Sequence, residues 1–255
     1  MATEPLAKIE NLIAKFGEKV VLDGVNLSIF PREILTIIGG SGSGKTTLLK
    51  HLMGLERPYR GTVEVFGKDW WEMEEAEKEN TQHSIGVLFQ NGALLGSKTV
   101  GVNVAIPLEQ HTKLPEPVVE RVVRLKLHQV GLEEAIEKMP SELSGGMRKR
   151  AALARALVLD PPLILCDEPS AGLDPVTSQQ LDSLLLNLRD NLGLTIVIVT
   201  HEIASIMRVA DRIAYLEKGE IIFDGTLEEA LTTDIKSVRE FFEVGIVDDS
   251  AKNRN

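Results

Sequence analysis

One short segment of the chain combines glycines, hydroxyl side chains and a single lysine in an order suited to binding phosphate. It fits the pattern Gly-x4-Gly-Lys-Ser/Thr and runs Gly39, Gly40, Ser41, Gly42, Ser43, Gly44, Lys45, Thr46. Glycines let successive backbone N–H groups turn inward around phosphate oxygens, while Lys45 can reach the outer phosphates and Thr46 can offer its hydroxyl to Mg²⁺. We expect this loop, with Thr47 directly after it, to bind the phosphates of a nucleotide.

The flanks of this loop have the secondary structure that the pattern requires. The apolar run from Ile34 to Ile38 predicts a strand before it, and the segment beginning at Lys45 predicts a helix after it. A helix N-terminus adds partial positive charge that favours phosphate. The chain's own residue frequencies give roughly a one per cent chance of a random match, so a merely flexible glycine loop is the weaker interpretation.

Two adjacent acids, Asp167 and Glu168, follow the apolar run from Leu163 to Cys166. Acids at the carboxyl end of a buried strand lie where ligands bind in open α/β folds. We expect Asp167 to hold Mg²⁺ and Glu168 to polarise the water that attacks the γ-phosphate. By themselves, two acids at the start of a loop would be unremarkable, but a phosphate loop upstream makes that interpretation the weaker one.

Three further sequence features are weak evidence for a function when each is taken alone. Ser144, Gly145 and Gly146 open a predicted helix, Asp174 lies shortly after the acid pair, and His201 directly follows an apolar run that ends at Thr200. An isolated histidine is usually structural and a Ser-Gly-Gly segment is usually a turn. Their order and spacing along the chain make the combination informative.

The elements that must position these residues have the pattern of an α/β protein. Continuous apolar runs predict strands buried on both faces, at about 34–38, 85–89, 163–167 and 195–199. Period-two runs predict half-exposed antiparallel strands near 6–13, 25–30, 61–66 and 219–224. Helices are expected from about Lys45, Val118, Ser144, Pro175, Glu202, Leu227 and Lys236. The stretch between Gln90 and Ser141 predicts a mostly helical insertion between two strands of the sheet.

An acidic segment, residues 69–79, departs from the average composition of the chain. It has six acids and one lysine, and it includes the adjacent Trp70 and Trp71. A solvated surface helix is the favoured interpretation, and a partner contact through the tryptophans stays open.

Composition and charge exclude several classes of protein. With 28 Lys+Arg against 38 Asp+Glu, the net charge of -10 disfavours nucleic-acid binding. The single cysteine, Cys166, rules out an internal disulfide and indicates a reducing compartment. The first residues lack the pattern of a secretory signal, and the apolar runs are shorter than a membrane span, so we expect a cytoplasmic protein with at most a peripheral membrane role.

Taken in order, these motifs resemble those of the nucleotide-binding subunits of ATP-binding cassette (ABC) transporters, over roughly residues 6–243. The resemblance implies a P-loop NTPase fold: a RecA-like catalytic lobe at about 6–89 and 160–225, an antiparallel β subdomain and a helical subdomain at about 91–159. Residues 244–255 would form a C-terminal tail. It also implies ATP and Mg²⁺ as ligands.

The resemblance assigns roles that the residues alone do not. Two copies would close head to tail, so that Ser144, Gly145 and Gly146 of one contact the γ-phosphate bound by the other. Gln90 would sense Mg²⁺ and the attacking water, Asp174 would bridge the dimer, and His201 would hold the γ-phosphate and orient Glu168. Phe16 would stack on adenine, although a core phenylalanine is the alternative.

In this resemblance the signature sequence of the family begins at Leu143, and its fifth position, usually Gln, is Met147 here. Methionine cannot donate the hydrogen bonds of an amide, but the three preceding residues are intact. The segment from Pro140 to Arg155, with Gln90–Leu95 and Asn103–Leu108, is similar to the cassettes of MCE-type lipid transporters such as the bacterial Mla system.

That similarity implies a phospholipid cargo moved between the inner and outer membranes, and a peripheral position on the cytoplasmic side of the inner membrane. The implied partners are a second copy, a permease dimer, a periplasmic MCE protein and a STAS-domain protein. Two alternatives stay open: an ABC transporter for an amino acid, ion or drug, and a soluble ABC protein outside transport.

Overall fold

The computed structural model describes residues 4–243. Its strands are β1 (Ala7–Phe16), β2 (Lys19–Ile29), β3 (Ile34–Ile38), β4 (Arg60–Val65), β5 (Lys68–Asp69), β6 (Ile85–Leu88), β7 (Leu163–Asp167), β8 (Thr195–Val199), β9 (Arg212–Glu217) and β10 (Glu220–Thr226). Its helices are α1 (Lys45–Leu52), α2 (Glu75–His83), α3 (Val100–His111), α4 (Glu116–Gln129), α5 (Gly145–Ala156), α6 (Pro175–Leu192), α7 (Ile203–Val209) and α8 (Leu227–Thr232). Residues 236–243 are also helical.

A six-stranded sheet in the order β10-β9-β3-β8-β7-β6 forms the centre of the molecule. Its strands are parallel except β10, which pairs antiparallel with β9. The continuous apolar runs arise because alternate side chains of one strand enter different cores: Ile164 packs with the helices on one face, and Leu163 and Leu165 pack on the other. Strands buried on both faces need this pattern.

A second sheet, β2-β1-β4-β5, is antiparallel and covers one face of the first. The core between the two sheets includes Leu48, Leu49 and Leu52 of α1, together with Trp70. The helix that follows the phosphate loop is therefore fixed by packing against both sheets, and its N-terminus stays at the sheet edge.

Between β6 and β7 the chain forms α3, α4 and α5, which share one core with the opposite face of the large sheet. The side chain of Asn103 is fully buried and caps the loop before α3. Its Oδ1 accepts from Leu95 N at 2.7 Å, and its Nδ2 donates to Leu95 O, Lys98 O and Thr99 O. These bonds fix the entry to α3 where the loop backbone has no ladder partner.

The α/β class and the eight predicted strands are confirmed, with boundaries that shift by up to three residues, except that β2 begins six residues earlier than predicted. The short β5 and the sheet strand β9 were missing from the predicted set. The predicted helices begin at or within two residues of the expected positions. The insertion after Gln90 is mostly helical, as expected.

The expectation for residues 69–79 is partly wrong. Only the part from Glu75 onward is helical, whereas Asp69 ends β5. Trp70 is 1% exposed and donates its indole N–H to Leu52 O at 3.1 Å, so it is a core residue and does not contact a partner. The apolar size of an indole outweighs the charge of its sequence neighbours.

The expected tail, residues 244–255, lies outside the described residues. Within residues 4–243, no helix is both long enough and apolar enough to cross a bilayer.

Candidate functional site

The phosphate loop occupies the turn between β3 and α1, and its glycines are required by geometry. Gly39 has φ 148°, and a Cβ there would lie 2.1 Å from the carbonyl oxygen of Leu216 in β9. Gly44, which caps α1, has φ 111°, and a Cβ there would lie 2.7 Å from the side chain of Leu22. A side chain at either position would push the loop off the sheet edge, so only glycine keeps its amides at the helix N-terminus.

Lys45 folds back across this loop. Its Nζ donates to the carbonyl oxygens of Gly39 and Gly40, at 2.8 and 2.9 Å. Burial lowers the pKa of Lys45, and the nearby Glu168 and Asp167 partly offset that effect. The ammonium is thus held over the loop and can exchange its carbonyl partners for phosphate oxygens.

The two acids lie at the carboxyl end of β7, as predicted. Asp167 is the last residue of the strand. Glu168 follows with φ 49°, a left-handed backbone conformation that residues other than glycine rarely adopt. The amide of Glu168 donates to Val199 O of β8 at 2.8 Å. This bond to the neighbouring strand holds the chain in the turn that aims the carboxylate.

His201 and Glu168 form a direct pair. His201 Nδ1 lies 2.7 Å from Glu168 Oε1, while Glu168 Oε2 is buried and has no hydrogen-bond partner among the described residues. The imidazole with its proton on Nδ1 donates to the carboxylate and fixes its rotation. One carboxylate oxygen is therefore held, and the other remains a buried acceptor.

Lys149, in the first half of α5, ties two parts of the site together. The residue is almost fully buried, and its ammonium donates to the carbonyl oxygen of Gln90 and, at 3.2 Å, to that of Glu168. Sequence reasoning missed this residue, because a lysine beside a signature motif has no pattern that distinguishes it from surface lysines. Burial lowers its pKa, and the carboxylates nearby act in the opposite direction.

Burial is also the main cause of the raised pKa of Asp167, and the adjacent charge of Glu168 adds to it. Thr46 and the lysines Lys45 and Lys149 act in the opposite direction. A cation placed between Asp167 and Glu168 would stabilise the ionised form of both carboxylates. The site therefore favours the binding of a cation.

One cleft of about 700 Å³ gathers most of the predicted residues. Its lining includes every residue from Gly39 to Thr47, together with Gln90, Asp167, Glu168 and His201. Sequence reasoning missed three apolar members of the lining, Val21, Val199 and Phe241. The parallel strands account for this gathering, because β3, β6, β7 and β8 all end at the same sheet edge.

Phe16 is not part of that lining. It ends β1, its side chain is 51% exposed, and it pairs with Lys19 across the hairpin that leads to Val21. It is not a core residue, so the alternative that it simply fills the core is wrong. The ring is exposed to solvent at the end of the β1–β2 hairpin, and β2 borders the cleft through Val21.

Ser144, Gly145 and Gly146 also lie outside the lining of the cleft in a single chain. Ser144 caps α5 by accepting from Met147 N at 3.3 Å, and a Cβ on Gly146 would lie 2.3 Å from the Thr177 side chain of α6. These contacts give the turn a rigid support and leave the start of α5 free for an anion. Met147 is partly buried against the helical core, where an apolar side chain is suitable.

Asp174 is exposed and caps α6. Its Oδ1 accepts from Val176 N and Thr177 N at 3.1 and 3.0 Å. Hydrogen bonds, above all from the Thr177 side chain, hold the pKa of Asp174 below its usual value. Within one chain its contacts are those of a helix cap.

The cleft fits a nucleoside triphosphate with a magnesium ion. Ser43 Oγ and Glu168 Oε2 are buried polar atoms that have no partner among the described residues, as expected of a site that is completed by a ligand. The hydroxyl of Thr46, the amide oxygen of Gln90 and the carboxylate of Asp167 are the hard oxygen ligands that Mg²⁺ prefers.

Comparisons with known proteins agree with this geometry. Residues 22–171 match the ABC transporter family. The chain is 42% identical to the probable ribonucleotide transport ATP-binding protein mkl of Mycobacterium leprae, over 92% of this chain and 67% of that protein. It is 40% identical to the intermembrane phospholipid transport ATP-binding protein MlaF of Haemophilus influenzae, over 92% of this chain and 89% of MlaF.

The chain spans about two thirds of the length of the mycobacterial relatives that it matches. Among solved structures, the dimeric ATP-binding cassette MJ0796 bound to ADP and Pi superposes with a TM-score of 0.78 at 33% identity, covering 87% of this chain and 98% of that one. The chain therefore belongs to the ABC transporter family and is an ATPase cassette of that family.

Proposed function

We propose that this chain hydrolyses ATP in the cleft at the carboxyl ends of β3, β6, β7 and β8, with Glu168 as the group that accepts a proton from the attacking water. The observation that carries this proposal is the split environment of the Glu168 carboxylate. His201 holds Oε1 at 2.7 Å, and Oε2 is a buried acceptor without a partner. A carboxylate fixed in this way can orient one water molecule and take its proton as the water oxygen bonds to the γ-phosphorus.

The phosphate loop would bind the phosphates that the water attacks. Its amides and Lys45 bind the β- and γ-phosphates, and their positive charge compensates the charge that reaches the β-phosphate oxygen when the bond to the γ-phosphorus breaks. Thr46, Asp167 and Gln90 would hold Mg²⁺, which when bound neutralises phosphate charge. His201, besides holding Glu168, would hold the γ-phosphate.

A second copy of the chain would complete the cleft on its outer side. Ser144, Gly145 and Gly146 stand at the start of α5, outside the lining, with a rigid support behind them. A helix N-terminus binds an anion well, so the turn of one copy would contact the γ-phosphate bound by the other. MJ0796, a relative in structure, is a dimer. Asp174, exposed beside this turn, would lie in the same interface.

Phe16 would contribute to binding of the adenine base. Its ring is exposed at the end of the β1–β2 hairpin, and Val21 of the same hairpin lines the cleft. An exposed aromatic ring next to a phosphate site offers a flat face on which adenine can stack.

Phospholipid is the cargo that we propose for the transporter. The support is the 40% identity to MlaF over 89% of that protein, together with the MCE-like signature around Met147. The mkl relatives, described as ribonucleotide transport proteins, favour a second candidate, a nucleotide-type solute. The cassette would act at the cytoplasmic face of the inner membrane with a permease dimer, a periplasmic MCE protein and a STAS-domain protein.

The dimer is tested by size-exclusion chromatography with light scattering on the Glu168→Gln variant. We expect a dimer with ATP and a monomer without it, because blocked hydrolysis leaves the γ-phosphate in place to join the two copies. Adding Ser144→Arg should return the ATP-bound variant to a monomer, since the side chain would fill the turn. A monomer with ATP bound in the single variant would contradict the proposal.

The cargo is tested by purifying the chain with its membrane partners and identifying the bound small molecules by mass spectrometry. Phospholipid enriched over the surrounding membrane is the expected result. A ribonucleotide or another aqueous solute in its place would refute the phospholipid proposal and leave the ATPase proposal intact.

A further inference from the structure

Two helices outside the nucleotide cleft bring together two histidines and a glutamate. Glu79 and His83 are four residues apart on α2, so they lie on one face of that helix, and His111 is the last residue of α3. One possible ligand atom from each residue lies within 4.8 Å of those of the other two. Glu79 Oε1 lies 3.9 Å from His83 Nε2 and 3.7 Å from His111 Nδ1.

The two histidine rings are closely packed. Their centroids lie 3.9 Å apart with the planes tilted by 44°, and about a quarter of the His83 side chain and a third of that of His111 are exposed. Two imidazolium ions at this distance would repel each other. Glu79 alone would therefore not hold both rings as two ion pairs.

The spacing and the donor types fit a metal ion better. Two neutral imidazoles and one carboxylate are a donor set that Zn²⁺ accepts, with metal–ligand distances near 2.0–2.2 Å. The carboxylate oxygen lies 3.9 and 3.7 Å from the two imidazole nitrogens, so the side chains would have to rearrange locally to surround one ion. The cluster lines an open groove with Trp71 and Pro107, which leaves room for water as a fourth ligand.

We propose that Glu79, His83 and His111 bind a divalent transition-metal ion, Zn²⁺ by their donor set, which joins α2 to α3. The consequence follows from the order of the chain. The helix α2 directly precedes β6, which leads to Gln90, and α3 follows Gln90 after a short loop. The ion would close the chain between His83 and His111 and restrain the segment that carries Gln90.

The test uses the full chain without an affinity tag, freed of metal by chelation and dialysis. Zn²⁺ is titrated in competition with a chromophoric chelator, and Co²⁺ is added separately to follow the visible absorption of a low-symmetry His/carboxylate site. We expect one ion per chain. His111→Gln and His83→Gln should each weaken binding by about 100-fold or more, since loss of a mere outer-shell partner of a ligand already costs about 10–100-fold.

Two variants separate this site from other histidines. His128→Gln, in which the lost imidazole is exposed and faces Glu133, should leave the affinity unchanged. His201→Gln removes the histidine of the nucleotide cleft and should also leave it unchanged. Circular dichroism confirms that each variant is folded.

Three outcomes would overturn the proposal: no stoichiometric binding, equal affinity in His111→Gln and the wild type, or loss of the ion in His201→Gln alone. The last outcome would place the ion among Asp167, Glu168 and His201. None of the three affects the proposed ATPase function, which depends on the other cleft.

Discussion

Glu168 combines an unfavourable backbone conformation with a fixed carboxylate. A φ of 49° costs a residue other than glycine about 1 kcal/mol or more, and the bond to Val199 O together with the His201 contact stabilises it. A strained residue supported from two sides keeps one orientation. At the scale of single residues, this restraint is the basis for assigning proton transfer to Glu168.

Lys149 is a positioning residue at the same scale, because it contacts the carbonyls of Gln90 and Glu168 and does not line the cleft. Lys149→Met removes the lysine donor from the carbonyl of Gln90 and one of two donors from that of Glu168, which also accepts from Ala171 N at 3.2 Å. We expect the kcat for ATP hydrolysis to fall about tenfold, equivalent to about 1.4 kcal/mol, with little change in KM. Lys149→Arg, which keeps the cation, should retain more of the rate.

The control is Lys236→Met, which removes an exposed lysine and should leave kcat unchanged. A lower melting temperature in Lys149→Met with the wild-type kcat would show that Lys149 supports only the fold.

At the scale of elements, α5 connects the signature turn to the segment that carries Gln90. Ser144 caps its start, Lys149 binds Gln90 O, and Arg155 donates to Gly92 O and Ala93 O at 2.8 and 2.7 Å. A displacement of the Gln90 segment would therefore act directly on α5, whose N-terminus would face the second copy in the proposed dimer. The helix is a direct structural link between the two ends of the proposed dimeric site.

The sequence predicts α5 itself well, because a serine cap precedes a regular helical pattern. It predicts less well what the helix holds. Contacts from Lys149 and Arg155 to carbonyls about 60 residues earlier have no signal in local spacing. The burial of Trp70 was missed for the same reason, since its neighbours in sequence are acids and its neighbours in space are apolar.

The turn after α1 tests the packing of Trp70. Gly54 has φ 69°, and a Cβ there would lie 2.8 Å from the Trp70 ring, whereas Gly17 has φ 59° with open space around it. Gly17→Ala should destabilise the protein by about 1–2 kcal/mol from backbone strain alone. Gly54→Ala should cost about 1–3 kcal/mol more from overpacking.

Urea unfolding monitored by tryptophan fluorescence measures both variants. Equal midpoints for the two would mean that Trp70 yields without cost and that its packing does not restrain this turn.

At the scale of the whole molecule, the site exists because the parallel sheet collects residues that are distant in sequence. The phosphate loop, Gln90, the acid pair and His201 follow four different strands that end at one edge. The sequence shows each motif and the strand before it, so the gathering itself could be predicted. The apolar wall of Val21, Val199 and Phe241 could not, because ordinary valines and phenylalanines are not distinctive.

The stability of the whole molecule should fall in mild acid because of His51. Its ring is 1% exposed with Nδ1 2.7 Å from Glu56 O, and burial lowers its pKa below 6.5. Below about pH 6.5 the unfolded chain takes up a proton that the folded chain resists, so the free energy of unfolding decreases as pH falls. Above that pH the ring is neutral in both states, and this effect vanishes.

Urea midpoints at pH 7.5 and 5.5 measure the loss. His51→Gln should lose less stability between these two values than the wild type, although it is less stable at pH 7.5, whereas His128→Gln should lose as much as the wild type. The same loss in all three proteins would assign the acid sensitivity to other groups.

The rate of phosphate release from Mg-ATP by Glu168→Gln, with ATP binding measured in parallel by a fluorescent analogue, tests the central claim most directly. Glutamine keeps the size of the side chain and removes the proton acceptor. We predict that hydrolysis falls by at least about 100-fold, within the range for loss of a general base, while the affinity for ATP stays close to that of the wild type. Hydrolysis at the wild-type rate in this variant would contradict the assignment of Glu168.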